Sequence, residues 1–551
     1  MKRILDYIFI TVITLLLLVV AYASFFVEYK DIYVSFESND KEVIINPYYD
    51  NEDNIMYFFL PSHCLESQSK TRVILNGNNS ISLNDNKLLD NIGIEDIKLN
   101  IEYFTDFFKH KNSKVIFMAG SNIPSLHIEI PKSSLEYLEQ DKSYSVSGNM
   151  LLINDDGTIE YSNDFDSFSG RGNVTWETMP KRPWSLKLNK EESLLGMNKS
   201  KEWVLFANAL DDTTGFRNYA AYKLAKSIGL ENTSDMKFID LYVNGEYLGL
   251  YQLCEKIEEP KLNIGNLDEL NNIANKSVLK INKLNQTAVQ ENNISKYSYS
   301  TITSPNDISG GYILERNYGE KLYDKPHYFT TDLNESFVIR YPEVASKDEV
   351  IYISNIFQSI ENALFSSDYI DQSTNKSLEQ LIDIDSWIKK YLVDEITKNE
   401  GAGSTSSYYY KKQGDDRIYG GPVWDYDKSF GNFSIWQNSE GLLLSKAHPI
   451  SPTYWYERLY KYEKTLSLIK QYYLDSHPYL EELSKSLIDQ WSNMISDSYL
   501  MDSIRWDYMA KDINKNYPEY IYNDNLYDAK EYMKNWITNR LEFLDRTWLN
   551  D

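Results

Sequence analysis

The stretch KFIDLYVNGEYLGLYQLCEKIE, residues 237–258, constrains the fold more than any other part of the chain. Ile239, Leu241 and Val243 alternate, Asn244-Gly245 supplies the residue pair that a type I′ turn needs, and Tyr247 to Leu253 continue as a second strand. The spacing predicts a β-hairpin that ends on Glu255 and Lys256. A glutamate leaving a core strand is suited to orienting a lysine, as ion pairs do in phosphotransferases; it is equally suited to being the first polar residue of a loop.

A 551-residue chain with 42% hydrophobic residues can build two or three cores. Lys plus Arg total 56 and Asp plus Glu 81, a net charge of −25, which repels phosphate backbones and argues against a nucleic-acid partner. Two cysteines, Cys64 and Cys254, are too few for a disulfide framework or a cysteine-based zinc site, and the six histidines do not cluster.

The N-terminus places Lys2 and Arg3 before the mostly apolar run Tyr7 to Phe26, long enough for one bilayer crossing. By the positive-inside rule the rest of the chain is then extracytoplasmic, with residues 1–27 as a signal anchor and the membrane as a partner through this helix. Ala21-Tyr22-Ala23 has the form of a cleavage site, so a signal peptide is the competing reading. Residues 28–122 carry β-branched and aromatic runs broken by Asn, Asp, Gly and Pro, and read as a β-rich spacer.

From residue 123 the texture changes. In SGRGNVTWETMPKRPWSLKL, residues 169–188, Gly170 and Gly172 flank Arg171, and Trp184, Leu186 and Leu188 share one strand face. Arg171 and nearby lysines, Lys187 among them, suit a phosphate, or are solvated charges on an ordinary hairpin. Next, Asp212 or Thr213 is positioned to cap a helix with Phe216, Ala220, Leu224 and Ile228 on one face. Arg217 in its first turn opposes the helix dipole unless an anion or carboxylate compensates it. Residues 284–307, rich in Asn, Ser and Thr, read as a surface insertion.

The helix pattern SWIKKYLVDEITKN is followed by the loop EGAGSTSS, two strands, and then GPVWDYDKSFGN with Asp425 and Asp427. Two aspartates at i and i+2 project to one side of an extended segment. That suits a magnesium ion, which takes one or two carboxylates and leaves its other positions to water and phosphate. A bare D-x-D is also compatible with a turn that caps itself. Residues 453–551 read as aromatic-rich helices packing on the preceding domain.

Taken in order, RGNVTW, KRPWSLKL, EWVLFANALDD, FRNYAAYKLAKSIGL, DLYVNGEYLGLYQLCEKIE, GGYILE, IRYPE, YLVDEITKN and GPVWDYDKSFGN resemble the CotH family of spore-coat-type atypical protein kinases. The resemblance covers roughly residues 123–440, and NWITNRLEFLDRTW is similar to that family's C-terminal end. It implies an α+β fold: a reduced, atypical kinase-like domain over 123–452, behind the N-terminal β-rich spacer and before a C-terminal helical region. It further implies ATP with Mg or Mn as cofactors, and phosphorylation of serine or threonine on surface or secreted protein substrates. On this resemblance Asp425 is the metal-binding aspartate, with Asp427 beside it as a metal ligand, and Lys187 and Arg171 fall near the phosphates; Arg217 and Glu255, from their places in a helix first turn and at a strand end, are the further candidates to serve the nucleotide.

One position departs from the family pattern. Its N-x-D triplet, whose aspartate accepts the substrate hydroxyl proton, is here Asn399-Glu400-Gly401. Glycine accepts no proton, so Glu400 is the expected catalytic base. The alternative is a catalytically silent kinase-like protein that serves surface binding or assembly.

Overall fold

The computed structural model describes residues 32–549, apart from 66–70, 76–78, 83–96, 107–108, 259–261, 277–285, 292–293, 318–321, 323–324, 404, 434–437, 445–453, 508–512 and 514–515. The run Tyr7 to Phe26 lies outside these residues, and among the described residues no helix is long and apolar enough to cross a membrane. The fold is mixed α+β, with a β-rich N-terminal region and long helices towards the C-terminus. The chain divides into two compact units: one takes residues up to 189, 238–253 and 493–507, and the other takes 190–237, 254–492 and 508–551.

In the first unit, Ile32–Ser38 pairs antiparallel with Lys41–Ile45 and with Arg72–Leu75, while Ile55–Leu60 runs parallel to Lys109–Ala119. Phe36, Ile45, Phe58 and Phe117 from these strands are buried in one core with Ile153, Tyr242, Tyr247 and Met501. The N-terminal strands thus share their core with the hairpin read from the sequence. That hairpin is present as Met236–Val243 and Glu246–Glu255, and Asn244 (φ 49°) and Gly245 (φ 79°) have the positive φ values of a type I′ turn. Ser145–Ile153 and Ile159–Gly170 pair antiparallel, and the latter also pairs with Trp184–Glu192. On Trp184–Glu192 the side chains of Trp184, Leu186 and Leu188 are buried, as the alternation predicts.

Two buried polar networks hold residues 493–507 in this unit. Lys181 Nζ lies 2.7 Å from Asp502 and donates to the Leu250 carbonyl at 2.8 Å. Asp240 accepts from the Tyr247 hydroxyl at 2.9 Å and from Ser498 Oγ at 2.8 Å, and Ser498 Oγ in turn accepts the Ser121 N–H at 2.9 Å. Burial pushes the Asp240 carboxyl up to about 7, against the pull of these donors.

The second unit is built on a seven-stranded sheet and the helices Phe216–Ser227, Lys347–Phe365, Ile384–Thr397, Glu463–Glu482 and Leu526–Trp548. Part of the expected surface insertion belongs to this sheet: Gln286–Glu291 and Ile294–Ser300 pair antiparallel, and Tyr297 and Ser298 continue onto Tyr328 and Phe329. The alternating serines and tyrosines of SKYSYS carry that strand, a pattern masked by the polar composition around it.

The helix expected to be capped by Asp212 or Thr213 begins instead at Phe216, after Gly215 in the left-handed region with no side-chain cap. The reason lies one turn ahead. Arg217 is fully buried, and its guanidinium draws the carboxylates of Asp211 and Asp212 onto itself, so neither is free to cap. A charge removed from water in this way needs such partners.

Candidate active site

The second unit brings four chain segments together around GPVWDYDKSFGN. Strand Ile418–Gly420 is followed by Gly421, at φ 104°, and then by Val423 and Trp424. Trp424 and Tyr426 point into the core, where Trp424 meets Phe206 at 5.3 Å between ring centroids. Asp425 and Asp427 are half-buried, and Asp425, at φ 65°, turns the backbone out of the extended conformation.

Several residues of the motif are braced. The Tyr426 N–H donates to Asn218 Oδ1 at 2.7 Å, and its hydroxyl donates to Asp394, whose other oxygen takes Lys390 Nζ at 2.7 Å. Ser406 Oγ donates to Asp425 Oδ2 at 3.0 Å. Asn432 Nδ2 donates to the carbonyls of Asp427 at 2.7 Å and Leu210 at 3.1 Å. The Phe430 N–H donates to the Thr397 carbonyl at 2.8 Å, tying the loop after the motif to the end of helix Ile384–Thr397.

The backbone is strained here. Asn208, Thr214, Lys398, Ser406, Asp425 and Phe430 all have φ between 48° and 65°, a region that non-glycine residues seldom occupy. Such residues persist only where the surroundings over-determine them, and they concentrate at functional sites. Thr214 and Phe430 are the most strained of these, whereas Asp425 (φ 65°) is a residue type that tolerates the conformation better than most.

Electrostatics mark the same place. Burial, followed by the neighbouring Asp425 charge and that of Asp211, raises the Asp427 carboxyl well above the usual carboxylate range. Carboxylates crowded in this way are relieved by a cation. Two oxygens nearby add to the donor set: Asp211 Oδ2 and Asn432 Oδ1 are buried and have no hydrogen-bond partner. Among the described residues no group of three or more His, Cys, Asp or Glu is arranged to hold a metal ion by itself. The groups gathered there offer oxygen donors only, the donor chemistry that a hard cation such as magnesium takes.

The residues expected from the sequence divide between the units. Arg171 and Lys187 belong to the first unit: Arg171 follows Gly170 and donates its N–H to the Pro183 carbonyl at 3.2 Å, and Lys187 pairs across the sheet with Ser167. Arg217, Glu255, Glu400, Asp425 and Asp427 belong to the second. Arg217 is committed to Asp211 and Asp212, whose charges outweigh the burial that would otherwise lower its pKa. Its Nη1 holds the Asp211–Thr213 turn, while its Nε and Nη2 are buried without a hydrogen-bond partner among the described residues. Glu255 accepts the Asn198 N–H at 2.6 Å and the Asp235 N–H at 3.3 Å, so main-chain donors face it. The buried lysine of the first sequence block, Lys181, is paired with Asp502. Glu400 lies at the site: its N–H donates to the Lys428 carbonyl at 3.4 Å, and its Oε2 is 3.5 Å from Lys428 Nζ.

Asp211, Asn218, Asp394, Ser406, Asn432, Tyr520 and Asn523 escaped the sequence reading. Asn218 and Asp211 stood within the quoted FRNYAAY and ANALDD, but nothing local to those segments says that they face residue 426 or 427. Asn523 caps Asp212 Oδ2 through both its N–H (3.0 Å) and its side-chain amide (2.6 Å), from some 300 residues away in the chain.

The chain matches the family described as CotH kinase protein over residues 168–544, and it belongs to that family. Membership implies an atypical kinase, an enzyme that uses ATP. No curated protein matches the chain.

Proposed function

We propose that this chain is an extracytoplasmic, ATP- and metal-dependent protein kinase that transfers phosphate to serine or threonine of surface or secreted proteins. The observation that carries the reading is the half-buried pair Asp425 and Asp427, with the unpartnered amide oxygen of Asn432 tied to the same loop. Asp425, Asp427 and Asn432 would hold Mg or Mn together with the nucleotide phosphates; the cation supplies charge neutralisation at the transferring group.

The rest of the step falls to the chain. The substrate hydroxyl oxygen bonds to the γ-phosphorus as the bond to the β,γ-bridging oxygen breaks, and ADP leaves. Glu400 takes the hydroxyl proton; in the absence of nucleotide its Oε2 lies 3.5 Å from Lys428 Nζ. The apolar run behind Lys2 and Arg3 supports an anchored, extracytoplasmic location, and the net charge of −25 supports protein over nucleic acid as substrate.

The test is label transfer from γ-labelled ATP to secreted and surface proteins, with Mg or Mn and with chelator. Metal-dependent phosphoserine or phosphothreonine is expected. Metal-dependent nucleotide binding with no transfer to any protein would overturn the kinase reading in favour of the surface binding or assembly protein.

A further inference from the structure

Lys428 follows the second aspartate of the motif and stands among three groups in the second unit. Its Nζ lies 3.5 Å from Glu400 Oε2, 4.8 Å from the centre of the Phe433 ring and 5.8 Å from that of Tyr520. The two rings meet edge to face at 5.6 Å. Their backbones form a β-bridge, continued by the Ile521 N–H donating to the Asn432 carbonyl at 2.7 Å. Tyr520 thus reaches the motif from the far C-terminal part of the chain. Burial, then the charges of Asp427, Asp425 and Glu400, push its hydroxyl well above the usual tyrosine range, which marks it as facing the same carboxylates.

The site has a charge problem that this arrangement answers. Nucleotide triphosphate brings several negative charges to a place already holding Asp425, Asp427 and Glu400. A divalent cation offsets part of that. Arg217, another cation expected from the sequence to serve the nucleotide, is buried and paired through Nη1 with two carboxylates. Lys428 is half-buried, carries its charge on a flexible stem, and is paired with Glu400 at a distance longer than a tight charged hydrogen bond. Ring faces attract an ammonium without donating a proton to it or accepting one from it, so they hold the cation while leaving its three N–H groups available.

We propose that Lys428 is the side chain that binds the terminal phosphoryl group of the nucleotide, and that Tyr520, with Phe433, is the positioning residue that keeps its ammonium there. This rests on the kinase reading above and deepens it. Movement of Lys428 from Glu400 towards the phosphoryl group also uncovers the Glu400 carboxylate when the nucleotide is in place.

The test compares affinities for ATP and ADP in the presence of magnesium, by calorimetry on the full chain, so that no phosphoryl transfer is needed for the readout. Wild type is expected to prefer ATP. Lys428→Ala should lose about tenfold of that preference, the scale of one hydrogen bond to a charged group, while ADP affinity stays within about twofold. Lys428→Arg should retain most of it. Tyr520→Phe, which keeps the ring, should behave as wild type; Tyr520→Leu should lose preference as Lys428→Ala does, and Phe433→Leu serves the same purpose should Tyr520→Leu lower the melting temperature of the unliganded protein. An ATP preference that survives in Lys428→Ala overturns the Lys428 assignment and leaves the kinase reading standing. Preference lost in Tyr520→Phe as fully as in Tyr520→Leu overturns the role of the ring. A wild type that binds neither nucleotide overturns both the proposal and the reading beneath it.

Discussion

Asn218, in the first turn of helix Phe216–Ser227, accepts the backbone N–H of Tyr426 at 2.7 Å and so fixes the peptide between the two motif aspartates. Both residues are buried. Removing the acceptor leaves that N–H without a partner away from water, which costs about 1–3 kcal/mol. Asn218→Ala should therefore lower the stability measured by denaturant unfolding by that amount, whereas Asn218→Asp, which keeps an acceptor, should lose less. Equal losses in the two variants would show that the amide-to-peptide bond is not what holds the motif.

Asp425 should be tested with asparagine. At φ 65° an alanine adds backbone strain to the loss of charge, while asparagine tolerates the left-handed region nearly as well as aspartate does. Saturating ATP with magnesium should stabilise wild type by about 2.7 kcal/mol at one hundred times the dissociation constant. Asp425→Asn should show little of that shift at the same concentration, with an unliganded melting temperature close to wild type. A full shift in the variant would remove Asp425 from the cation site.

Gly401 has room for the missing aspartate. It does not lie in the left-handed region, and a Cβ built there meets only Asn399 Oδ1, at 3.5 Å, an ordinary contact. Gly401→Asp should fold as wild type and, with a proton acceptor restored, raise phosphoryl transfer by up to the ~10²–10⁴ that general-base catalysis supplies. Glu400→Ala should lower wild-type transfer by a comparable factor if Glu400 carries the proton now. A folded Gly401→Asp that transfers no faster than wild type would exclude this glycine as the place of a lost base.

Asp240 makes stability depend on pH. Its folded carboxyl is raised to about 7, whereas in the unfolded chain it titrates near ~3.9. Between those values the folded state holds a proton that the unfolded state has released. The stability linked to this group is thus fully present below ~3.9 and is lost as pH rises through about 7. Asp240→Asn imitates the protonated form, so its melting temperature relative to wild type should climb by ~1–4 °C from pH 5 to pH 8. A difference that stays constant across that interval would mean the carboxyl ionises in the folded protein without cost.

The sequence by itself determined the parts whose signals are local. Alternating Ile239, Leu241 and Val243 before Asn244-Gly245 specify strands and a type I′ turn through side-chain period and backbone sterics, and the turn is found with both φ values positive. The two aspartates, two residues apart beyond an apolar strand, are legible in the sequence, whereas the left-handed turn of the backbone at Asp425 is not. Which charges those carboxylates meet was decided only by tertiary structure. Arg217 looked available from its place in a first turn, yet burial forces it onto Asp211 and Asp212, because an unpaired guanidinium removed from water costs more than the two carboxylates it consumes. Asn218 meets Tyr426, Tyr520 meets Phe433 and Asn523 meets Asp212 from separate parts of the chain, and these pairings depend on distances through space that no periodicity encodes.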